Sequence, residues 1–368
     1  MEYRVLPHGG EKISVIGLGS GSLSGTEDEM VAVLNAAMDN GINYFDMAPS
    51  VEAPFAAYAR AFAGRREKII TQMHFGAVYK DGKYGWTRNL DAIRRQFEGQ
   101  LNLLGTDYTD IGFIHCVDEV DDLDEVMNGG LWAYMKTLKA NGTIRHLGFS
   151  SHNPDIARRL LETGLMDMFM FSINPAYDYQ REDEYAIGEA SERAALYRDA
   201  ERMGVGISVM KPFAGGQLLD AKTSLFKRAL THVQCFQYAL DRPGVITVLP
   251  GVRNMDDLKT VLHYVDATPE EKDYSVIGEF TPQDATGVCV YCNHCQPCPL
   301  DINVGLINKY YDLALAGDDM AKSHYWNLPV RADACAACGH CESRCPFHVK
   351  QESRMKEISA YFGKEDDP

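Results

Sequence analysis

Short apolar runs rich in β-branched residues alternate with amphipathic stretches from about residue 13 to residue 265. Runs of this length predict strands, whereas apolar residues that recur every three or four positions predict helices. The pattern predicts eight strands, at 13–18, 43–48, 68–74, 110–116, 144–150, 166–173, 206–211 and 245–250.

Helical patterns follow these strands. The segments 27–41, 89–105 and 155–164 are amphipathic, and Gly41 is placed to end the first of them. Eight strands, each followed by a helix, is the arrangement of a (β/α)8 TIM barrel of the α/β class, and we assign residues 1–275 to it. An open doubly wound sheet is the structural alternative, but no G-x-G-x-x-G follows a predicted strand.

Composition indicates a second domain and disfavours nucleic-acid and membrane partners. The chain has 368 residues, and its sequence turns charged around 267–279, so we expect a smaller helical domain over 280–368. The net charge of −16 disfavours a nucleic-acid partner. No apolar stretch approaches the roughly 20 residues that span a bilayer, and the first residues do not resemble a signal peptide. We therefore expect a cytoplasmic protein without a membrane partner.

Eight of the ten cysteines lie in two short runs near the C-terminus, and a Cys-Pro step closes each run. Two such runs match the ligand supply of two [4Fe–4S] clusters, in which three cysteines of one run and the last of the other bind each cluster. The predicted metal ligands are Cys289, Cys292, Cys295, Cys298, Cys335, Cys338, Cys341 and Cys345.

Zinc and disulfides are the alternatives for these cysteines. A zinc site needs four ligands, usually two separated C-x2-C pairs, and three consecutive C-x2-C steps exceed that need. Disulfides would require an oxidising compartment. The first run has two residues before its last cysteine where bacterial ferredoxins have three, which leaves its ligand pairing more open. Clusters of this type are oxygen-sensitive, so an anaerobic or reducing setting is expected.

Polar and titratable residues stand at the predicted C-terminal ends of the strands. In a (β/α)8 barrel these ends face the active site, so their side chains should converge on one mouth. The candidates are Asp46, His74, His115, Cys116, Ser150, Ser151, His152, Asn174, Lys211 and Arg253. Strand alternation would turn Cys116 away from the mouth, and we interpret Cys116 and Cys235 as packing residues.

Five ordered motifs resemble the aldo/keto reductases. They read N-Y-F-D-M-A, G-T-D-Y-T-D-I-G-F-I-H, R-H-L-G-F-S-S-H, V-M-K-P-F-A-G-G-Q-L and V-L-P-G-V-R-N. The runs Y-C-N-H-C-Q-P-C-P and C-A-A-C-G-H-C-E-S-R-C-P are similar to the branch of that family with an appended ferredoxin-like iron–sulfur domain. The resemblance covers nearly the whole chain and implies the barrel fold.

The resemblance also implies a catalytic set of Asp, Tyr, Lys and His at the barrel mouth, with the tyrosine as general acid. Asp46 matches the aspartate and His115 the histidine, but Val51 stands at the tyrosine position and His74 at the lysine position. Valine has no ionisable proton, so general-acid catalysis by residue 51 is excluded. Tyr177 is a candidate for replacing the missing phenol.

The positions that hold NADP(H) in the family are depleted. Ser150 keeps a nicotinamide contact and Arg253 would meet a phosphate if the cofactor binds. Met170 and Met210 stand at the positions of a glutamine and of an aromatic residue, and Asp257 and Val261 at those of an arginine and an asparagine. Each lost charged hydrogen bond removes about 1.5–3 kcal/mol, so weak NADP(H) binding is expected.

We interpret the chain as an iron–sulfur oxidoreductase similar to aldo/keto reductases. Its small-molecule substrate would bind at the barrel mouth, and the two clusters would relay single electrons. His74 and His115 would supply protons, since histidine titrates near neutral pH, and Asp46 would set their tautomers. His152 and Lys211 are candidates for binding an anionic substrate. A ferredoxin or a flavoprotein is the expected type of electron partner.

Other functions stay open at this point. One is an NADPH-dependent carbonyl reductase with shifted catalytic groups. Another is a non-redox lyase, dehydratase or isomerase that uses His/Asp acid–base chemistry and structural clusters. In a variant of the latter, Asp46, His74 and His115 would hold a mononuclear Fe(II), for which two histidines and one carboxylate suffice. The last is a pure electron carrier.

Overall fold

A computed structural model describes residues 1–179, 187–226, 228–277, 287, 289, 295–315, 319–345 and 347–363. Of the predicted cluster ligands, Cys292 lies outside these ranges, as does Pro346 after the second run.

Eight strands form one sheet in which every pairing between neighbours is parallel. The strands of the protein are β1 Tyr3–Val5, β2 Lys12–Ser14, β3 Leu18–Gly19, β4 Tyr44–Asp46, β5 Ile70–Phe75, β6 Ala77–Lys80, β7 Lys83–Trp86, β8 Thr109–Ile114, β9 Ile144–Ser151, β10 Met168–Ser172, β11 Gly206–Met210 and β12 Val245–Val248. The order in the sheet is β12-β11-β10-β9-β8-β5-β4-β3. Bridges from Ile16 to Val248 and from Gly19 to Gly251 join its two edges. The predicted (β/α)8 barrel is thereby confirmed.

The helices lie between and after these strands. They are α1 Glu27–Asp39, α2 Pro54–Phe62, α3 Leu90–Leu104, α4 Val120–Asn128, α5 Leu131–Ala140, α6 Pro154–Leu161, α7 Pro175–Tyr179, α8 Ala190–Arg202, α9 His232–Leu240, α10 Met255–Asp266, α11 Pro269–Lys272, α12 Val304–Leu315, α13 Asp319–Trp326, α14 His340–Ser343 and α15 Gln351–Phe362. Local signals explain their ends: Thr26 and Glu29 form a capping box on α1, and α3 stops at Gly105 with a left-handed φ of 63°. Among the described residues, none of these helices has the length and apolar character needed to cross a membrane.

The first predicted strand differs from the structure. Of segment 13–18, Leu18 begins the barrel strand β3 and Ile16 bridges to Val248, whereas Lys12–Ser14 pairs antiparallel with Tyr3–Val5. The side chains of Ile13 and Val15 are both buried, so this hairpin packs against the barrel core. A continuous apolar run indicates that a segment is buried, but it does not show whether the segment is a barrel strand or a hairpin packed against the barrel.

A second hairpin, β6–β7, follows β5 and was not predicted. Asp81 and Gly82 form its turn, with φ values of 52° and 75°, as two-residue turns of this class require. The strands pair antiparallel, with Tyr79 opposite Tyr84, and an isolated bridge joins Lys83 to Val51. The hairpin therefore projects from the C-terminal end of β5 and reaches the loop that follows β4.

The C-terminal part has a small hydrophobic core of its own, built by helices α12 to α15. The rings of Tyr325 and Phe362 stack at its centre with centroids 3.8 Å apart. Cys295 and Cys341 belong to this core, and other cysteines pack against it. The cysteine side chains are therefore structural elements of this part of the chain.

The described polar contacts between the two parts lie near the N-terminal end of the barrel strands. Lys309 of α12 forms an ion pair with Glu201, near the end of α8 and five residues before β11 begins. A cavity of about 640 Å³ separates the end of α9 from the cysteine region, with Asp241 on one wall and Arg344 on the other. Phe347 and Val349 also join the large hydrophobic cluster of the barrel. In this family of folds the active site is at the opposite end of the strands.

Candidate active site at the barrel mouth

Three titratable side chains lie on three neighbouring strands at the C-terminal end of the barrel. Asp46 is the last residue of β4, His74 the fifth of the six residues of β5, and His115 directly follows β8. Because β4, β5 and β8 are adjacent in the sheet, these side chains are brought together as the sequence predicts.

A continuous line of hydrogen bonds joins the three. His74 Nε2 lies 2.8 Å from Asp46 Oδ1, and His74 Nδ1 lies 2.9 Å from His115 Nδ1. Gln72 Nε2 also donates to Asp46 Oδ1 at 3.0 Å and lies 2.7 Å from His74 Nε2. Tyr44 donates to the other end of the Gln72 amide and thereby orients it.

This geometry assigns the ring protons. Of the two groups beside His74 Nε2, the Asp46 carboxylate is the charged acceptor, so His74 donates to it through Nε2–H and its Nδ1 is an acceptor. The Gln72 amide nitrogen is itself a donor, so it makes no hydrogen bond to the protonated Nε2 and donates to Asp46 instead. His115 then donates through Nδ1–H, and its Nε2 is left as an acceptor. Burial, reinforced by the neighbouring His74 and Arg88, lowers the pKa of His115 well below its usual value of 6.5. At neutral pH His115 is therefore an uncharged imidazole.

Tyr84, from the β6–β7 hairpin, completes the line. Its hydroxyl lies 2.6 Å from His115 Nε2, the ring nitrogen that the tautomer assignment leaves as an acceptor. Burial and the nearby Cys116 raise the pKa of Tyr84. Sequence reasoning missed this residue, and the Asp-Gly pair at 81–82 is the signal that would have placed a hairpin there. We call Tyr84, His115, His74 and Asp46 the proton relay.

The arrangement does not suit a mononuclear metal. His74 uses one ring nitrogen toward Asp46 and the other toward His115, so these two partners lie on opposite sides of its ring. The three ligands therefore do not converge on one point, and the Fe(II) variant of the acid–base hypothesis is not supported by this geometry.

A second polar network occupies the neighbouring strands. Asp118 accepts hydrogen bonds from His152 Nδ1 at 2.8 Å and from Ser151 Oγ at 3.0 Å. Lys211 Nζ lies 3.2 Å from His152 Nε2. Burial would raise the pKa of Asp118, but the hydrogen bonds from His152 outweigh it and lower that pKa to about 2. The structure thus groups His152 and Lys211 at the mouth, and it adds Asp118, which sequence reasoning missed.

Cys116 lies in this second network, contrary to its interpretation as a packing residue turned from the mouth. β8 ends at Ile114, and Cys116 has a left-handed φ of 45°, so strand alternation does not extend to it. Its thiol donates to Asp118 at 3.4 Å. Burial and the nearby Asp118 raise the pKa of Cys116 to about 12, so the thiol keeps its proton. Ligand atoms of Cys116, Asp118 and His152 lie within 4.8 Å of one another, but they hydrogen-bond to each other and the Lys211 amine adjoins them.

The residues predicted to contact a cofactor largely bond to other groups of the protein. Arg253 forms a two-pronged ion pair with Asp257, through bonds of 2.7 and 3.1 Å. Ser150 Oγ accepts from the backbone N–H of Cys116 at 2.7 Å. Val261 is buried. The guanidinium expected to meet a phosphate is therefore neutralised by the chain's own carboxylate.

The two remaining site predictions lie in packed surroundings. Asn174 donates to the backbone oxygen of Lys211 at 2.8 Å and so ties two strand ends together. Tyr177 is only 5% exposed and belongs to the large hydrophobic core.

Four of the cysteines line one cavity in the C-terminal part. They are Cys298 from the first run and Cys335, Cys338 and Cys341 from the second. Among the described residues, no three cysteines bring their sulfur atoms within 4.8 Å of one another. Cys289, Cys295 and Cys345 are the described members of the remaining set.

Comparison with known proteins places the barrel in a family. Residues 15–232 match the aldo/keto reductase family. An uncharacterized oxidoreductase of Bacillus subtilis is 24% identical over 298 residues, which cover 74% of this chain and 94% of that protein. L-galactose dehydrogenase of Arabidopsis thaliana is 25% identical over 290 residues, which cover 70% of this chain and 86% of that protein.

Solved structures agree in fold. The holo form of an aldo-keto reductase from Bacillus halodurans superimposes with a TM-score of 0.60 at 24% identity, covering 75% of this chain and 95% of that one. An aldo/keto reductase from Klebsiella pneumoniae in complex with NADP and acetate gives a TM-score of 0.51 at 19% identity, covering 74% and 93%. With more than half of its residues matched to the family, this chain belongs to the aldo/keto reductases.

Proposed function

We propose that this chain is an iron–sulfur oxidoreductase that binds a small oxygenated substrate at the barrel mouth. Its two [4Fe–4S] clusters exchange the electrons, and the mouth handles the protons. The observation that carries the proposal is the cavity shared by Cys298, Cys335, Cys338 and Cys341. One cysteine of the first run with three of the second is the ligand set that such a cluster takes.

The donor set fits the group. Cys298, Cys335, Cys338 and Cys341 would hold one cluster, and Cys289, Cys292, Cys295 and Cys345 would hold the other. Each cluster would accept and release one electron at a time. Burial, with Cys335 and Cys298 nearby, raises the pKa of the Cys341 thiol to about 11, so binding of a cluster would have to displace its proton.

Dedicated use of NADPH is disfavoured on electrostatic grounds. A 2′-phosphate at Arg253 would have to displace Asp257 or accept its repulsion, because both carboxylate oxygens already bind the guanidinium. A charged hydrogen bond contributes about 1.5–3 kcal/mol, and Arg253 makes its bonds to Asp257 and not to the cofactor, so they add nothing to the affinity for NADPH. An NADPH-dependent carbonyl reductase is therefore the weaker alternative.

The mouth is equipped to bind and protonate an oxygen atom. The relay offers protons from one side, through His115 and His74 backed by Asp46. Lys211 and His152 stand on the strands beyond β8 and would attract an anionic group of the substrate. Both features suit a carbonyl, an alcohol or an acid of low molecular mass.

One observation favours a second candidate, a non-redox lyase, dehydratase or isomerase with structural clusters. The Lys309–Glu201 ion pair lies near Gly206, where β11 begins, and Gly206 is five residues before Lys211. Five strand residues span about 17 Å, so electrons entering there must cross the barrel to reach the mouth. In the redox proposal the clusters would exchange electrons both with an external ferredoxin or flavoprotein and, across this distance, with the substrate.

Anaerobically purified protein separates these functions. We expect cluster absorption that bleaches on reduction, and turnover of a panel of aldehydes, ketones and alcohols only when methyl viologen can donate or accept electrons. Equal turnover by oxidised and reduced protein would favour the non-redox candidate. Saturable NADPH binding at micromolar concentration, followed by fluorescence quenching, would favour the NADPH-dependent one.

Two variants locate the chemistry. His115→Ala should abolish turnover and leave cluster absorption unchanged, because His115 lies in the relay. His263→Ala is the matched control, since His263 is on α10 and pairs with Glu271 on the surface. Full activity in His115→Ala would identify the chain as an electron carrier without chemistry at the mouth.

A further inference from the structure

We infer that Tyr84 is the catalytic phenol of this protein, supplied by the β6–β7 hairpin in place of the residue missing at position 51, and that it exchanges its proton with Asp46 through two histidines. The inference rests on the proposed function insofar as it takes the barrel mouth as the reaction centre. It goes further by assigning the group that touches the substrate oxygen.

The hairpin brings a phenol beside the position where the family resemblance expects one. Val51 is 42% exposed in the loop after β4, and its backbone pairs with Lys83, the residue before Tyr84. A further backbone hydrogen bond runs from Glu52 N to Gly82 O at 3.0 Å. The loop that lost its tyrosine is thus the loop on which the Tyr84 strand rests.

Several contacts hold the hairpin in place. The hydroxyl of Tyr79 donates to the Pro49 carbonyl at 2.7 Å, and its backbone N–H donates to Gln96 at 3.1 Å. At the far end of β7 the Arg88 guanidinium lies 4.6 Å from the Trp86 ring centre. A catalytic group placed by packing and hydrogen bonds needs no reorganisation when the substrate reacts.

Tyr84 is the member of the relay that faces solvent. It is 44% exposed, whereas His74 is only 8% exposed and the side chain of Asp46 only 13%. Tyr177, the other tyrosine considered for this role, is 5% exposed. Tyr84 is therefore the relay residue with the largest exposed fraction at the mouth.

The hydrogen bonds define the direction of proton transfer. Tyr84 O–H donates to His115 Nε2, His115 Nδ1–H to His74 Nδ1, and His74 Nε2–H to Asp46 Oδ1. When a substrate hydroxyl gives its proton to the Tyr84 oxygen, the Tyr84 proton moves to His115 Nε2. The Nδ1 proton of His115 then moves to His74 and the Nε2 proton of His74 to Asp46. The substrate oxygen loses one proton and Asp46 gains one, and the reverse sequence protonates a substrate oxyanion.

The protonation states of Tyr84 and His115 before the substrate reacts fit this direction of proton transfer. Burial and the nearby Cys116 raise the pKa of Tyr84, while burial with His74 and Arg88 lowers the pKa of His115. At neutral pH the proton of the first hydrogen bond therefore resides on Tyr84, and the relay is ready to accept a proton from the substrate.

The test compares Tyr84→Phe with Tyr3→Phe in the anaerobic holoprotein. Both substitutions remove the hydroxyl of an exposed tyrosine, but the Tyr3 hydroxyl bonds to the Gly41 carbonyl and only Tyr84 bonds to the relay. A first measurement needs no substrate: nitrogen-15 NMR of histidine-labelled protein. We expect Tyr84→Phe to shift the Nε2 signal of His115 and perturb His74, and Tyr3→Phe to leave both unchanged. Unchanged signals in Tyr84→Phe would overturn the relay.

A second measurement follows oxidation of benzyl alcohol with ferricenium as the electron acceptor, the direction in which the relay accepts the substrate proton. General acid–base catalysis contributes about 10²–10⁴-fold, so Tyr84→Phe should lower kcat by that factor with little change in KM. Tyr3→Phe should leave kcat unchanged, because Tyr3 bonds to Gly41 and not to the relay. Undiminished kcat in Tyr84→Phe would overturn the catalytic role. Absence of turnover by the wild type would instead count against the proposed function, and the NMR result would then decide the relay by itself.

Discussion

The barrel and the C-terminal part are stabilised in different ways. The barrel core comprises a large cluster of buried aliphatic and aromatic side chains, with Phe149 and Phe169 stacked in it, and a second cluster that contains Phe113 and Met168. The C-terminal core is far smaller, and Cys295 and Cys341 are among its members. A small core contributes little stability, and domains of this size often depend on a metal group. The comparison teaches that hydrophobic burial can account for the barrel, whereas the C-terminal part would gain further stability from the clusters that we propose for its cysteines.

The two parts also treat buried charge differently. In the barrel, Arg193 is completely buried and bonds to Asp178, which also accepts hydrogen bonds from Tyr197 and Tyr238. In the C-terminal part the ion pair of Arg354 with Asp312 is partly exposed. The barrel can therefore hold a charge in its interior because a neighbouring helix and the end of β10 supply partners for the guanidinium.

The largest effect should come from removing one cluster ligand. Cys338→Ser should lower the iron content from about eight to about four atoms per chain, since one [4Fe–4S] cluster loses a ligand. Amide hydrogen exchange should then show loss of protection in α12 to α15, with the barrel strands unchanged. Cys235→Ala is the control, because Cys235 is buried in the barrel core. Retained protection in α12 to α15 would contradict the contrast between the two cores.

The next effect should be confined to the barrel. Asp178→Asn leaves the buried Arg193 charge uncompensated, and breaking such a pair costs about 3–5 kcal/mol of the free energy of unfolding. Urea unfolding followed by tryptophan fluorescence measures this change. Asp256→Asn is the matched control, because its partner Lys259 is on the surface, and a change below about 0.5 kcal/mol is expected. Equal destabilisation by the two variants would refute the role of the buried charge.

A smaller effect concerns acid stability. Asp118 has a folded pKa of about 2, below the value of about 3.9 in unfolded chains. Its contribution of about 2 kcal/mol is therefore fully present above about pH 4 and is lost as the pH falls through about 2. Asp118→Asn should flatten the dependence of barrel stability on pH in this window, measured by urea unfolding at several pH values.

Two carboxylates serve as controls for that experiment. Asp155→Asn is the control in the barrel, because the Asp155 side chain is 79% exposed. In the C-terminal part, hydrogen bonding to Lys350 lowers the pKa of Glu342, but Lys350 is exposed to solvent and such a pair should contribute little. An unchanged acid dependence in Asp118→Asn would contradict the assignment.

The smallest effect tests how the two parts are joined. Lys309→Met removes the ion pair with Glu201, and a pair of this exposure contributes at most about 1 kcal/mol. If the parts unfold as one unit, calorimetry should show a small shift of a single transition. Lys350→Met, which breaks a pair within the C-terminal part, is the control. Separation into two transitions in Lys309→Met would show that the ion pair couples the parts.

The fold of the barrel could be predicted well because its signals are local. Strands such as 144–150 and 206–211 are short apolar runs, and the structure has them as Ile144–Ser151 and Gly206–Met210. The β1–β2 hairpin was missed because burial against the barrel produces the same apolar pattern as membership in it. The β6–β7 hairpin is half polar, with Lys80 and Lys83 beside its turn, and carries a weaker hydrophobic signal.

The sequence predicted only those residues of the candidate site that stand at the ends of strands. Asp46, His74 and His115 stand at the ends of apolar runs, so the barrel topology brings them together. Tyr84 and Asp118 lie in connections after strands, and nothing in the local pattern states which strand end they approach. A hydrogen bond such as that from Tyr84 to His115 joins residues 31 positions apart, and it depends on how the hairpin folds over the mouth.

The sequence by itself determined the (β/α)8 barrel, the three titratable strand ends and the two cysteine runs. Hydrophobic periodicity and ligand spacing are local properties, so the chain displays them directly. Only the tertiary structure decided that a phenol from a neighbouring hairpin meets His115, that Asp257 neutralises Arg253, and that cysteines of both runs share a cavity. Those three facts depend on where distant backbone segments pack, since side-chain chemistry selects a partner only after folding has brought the two together.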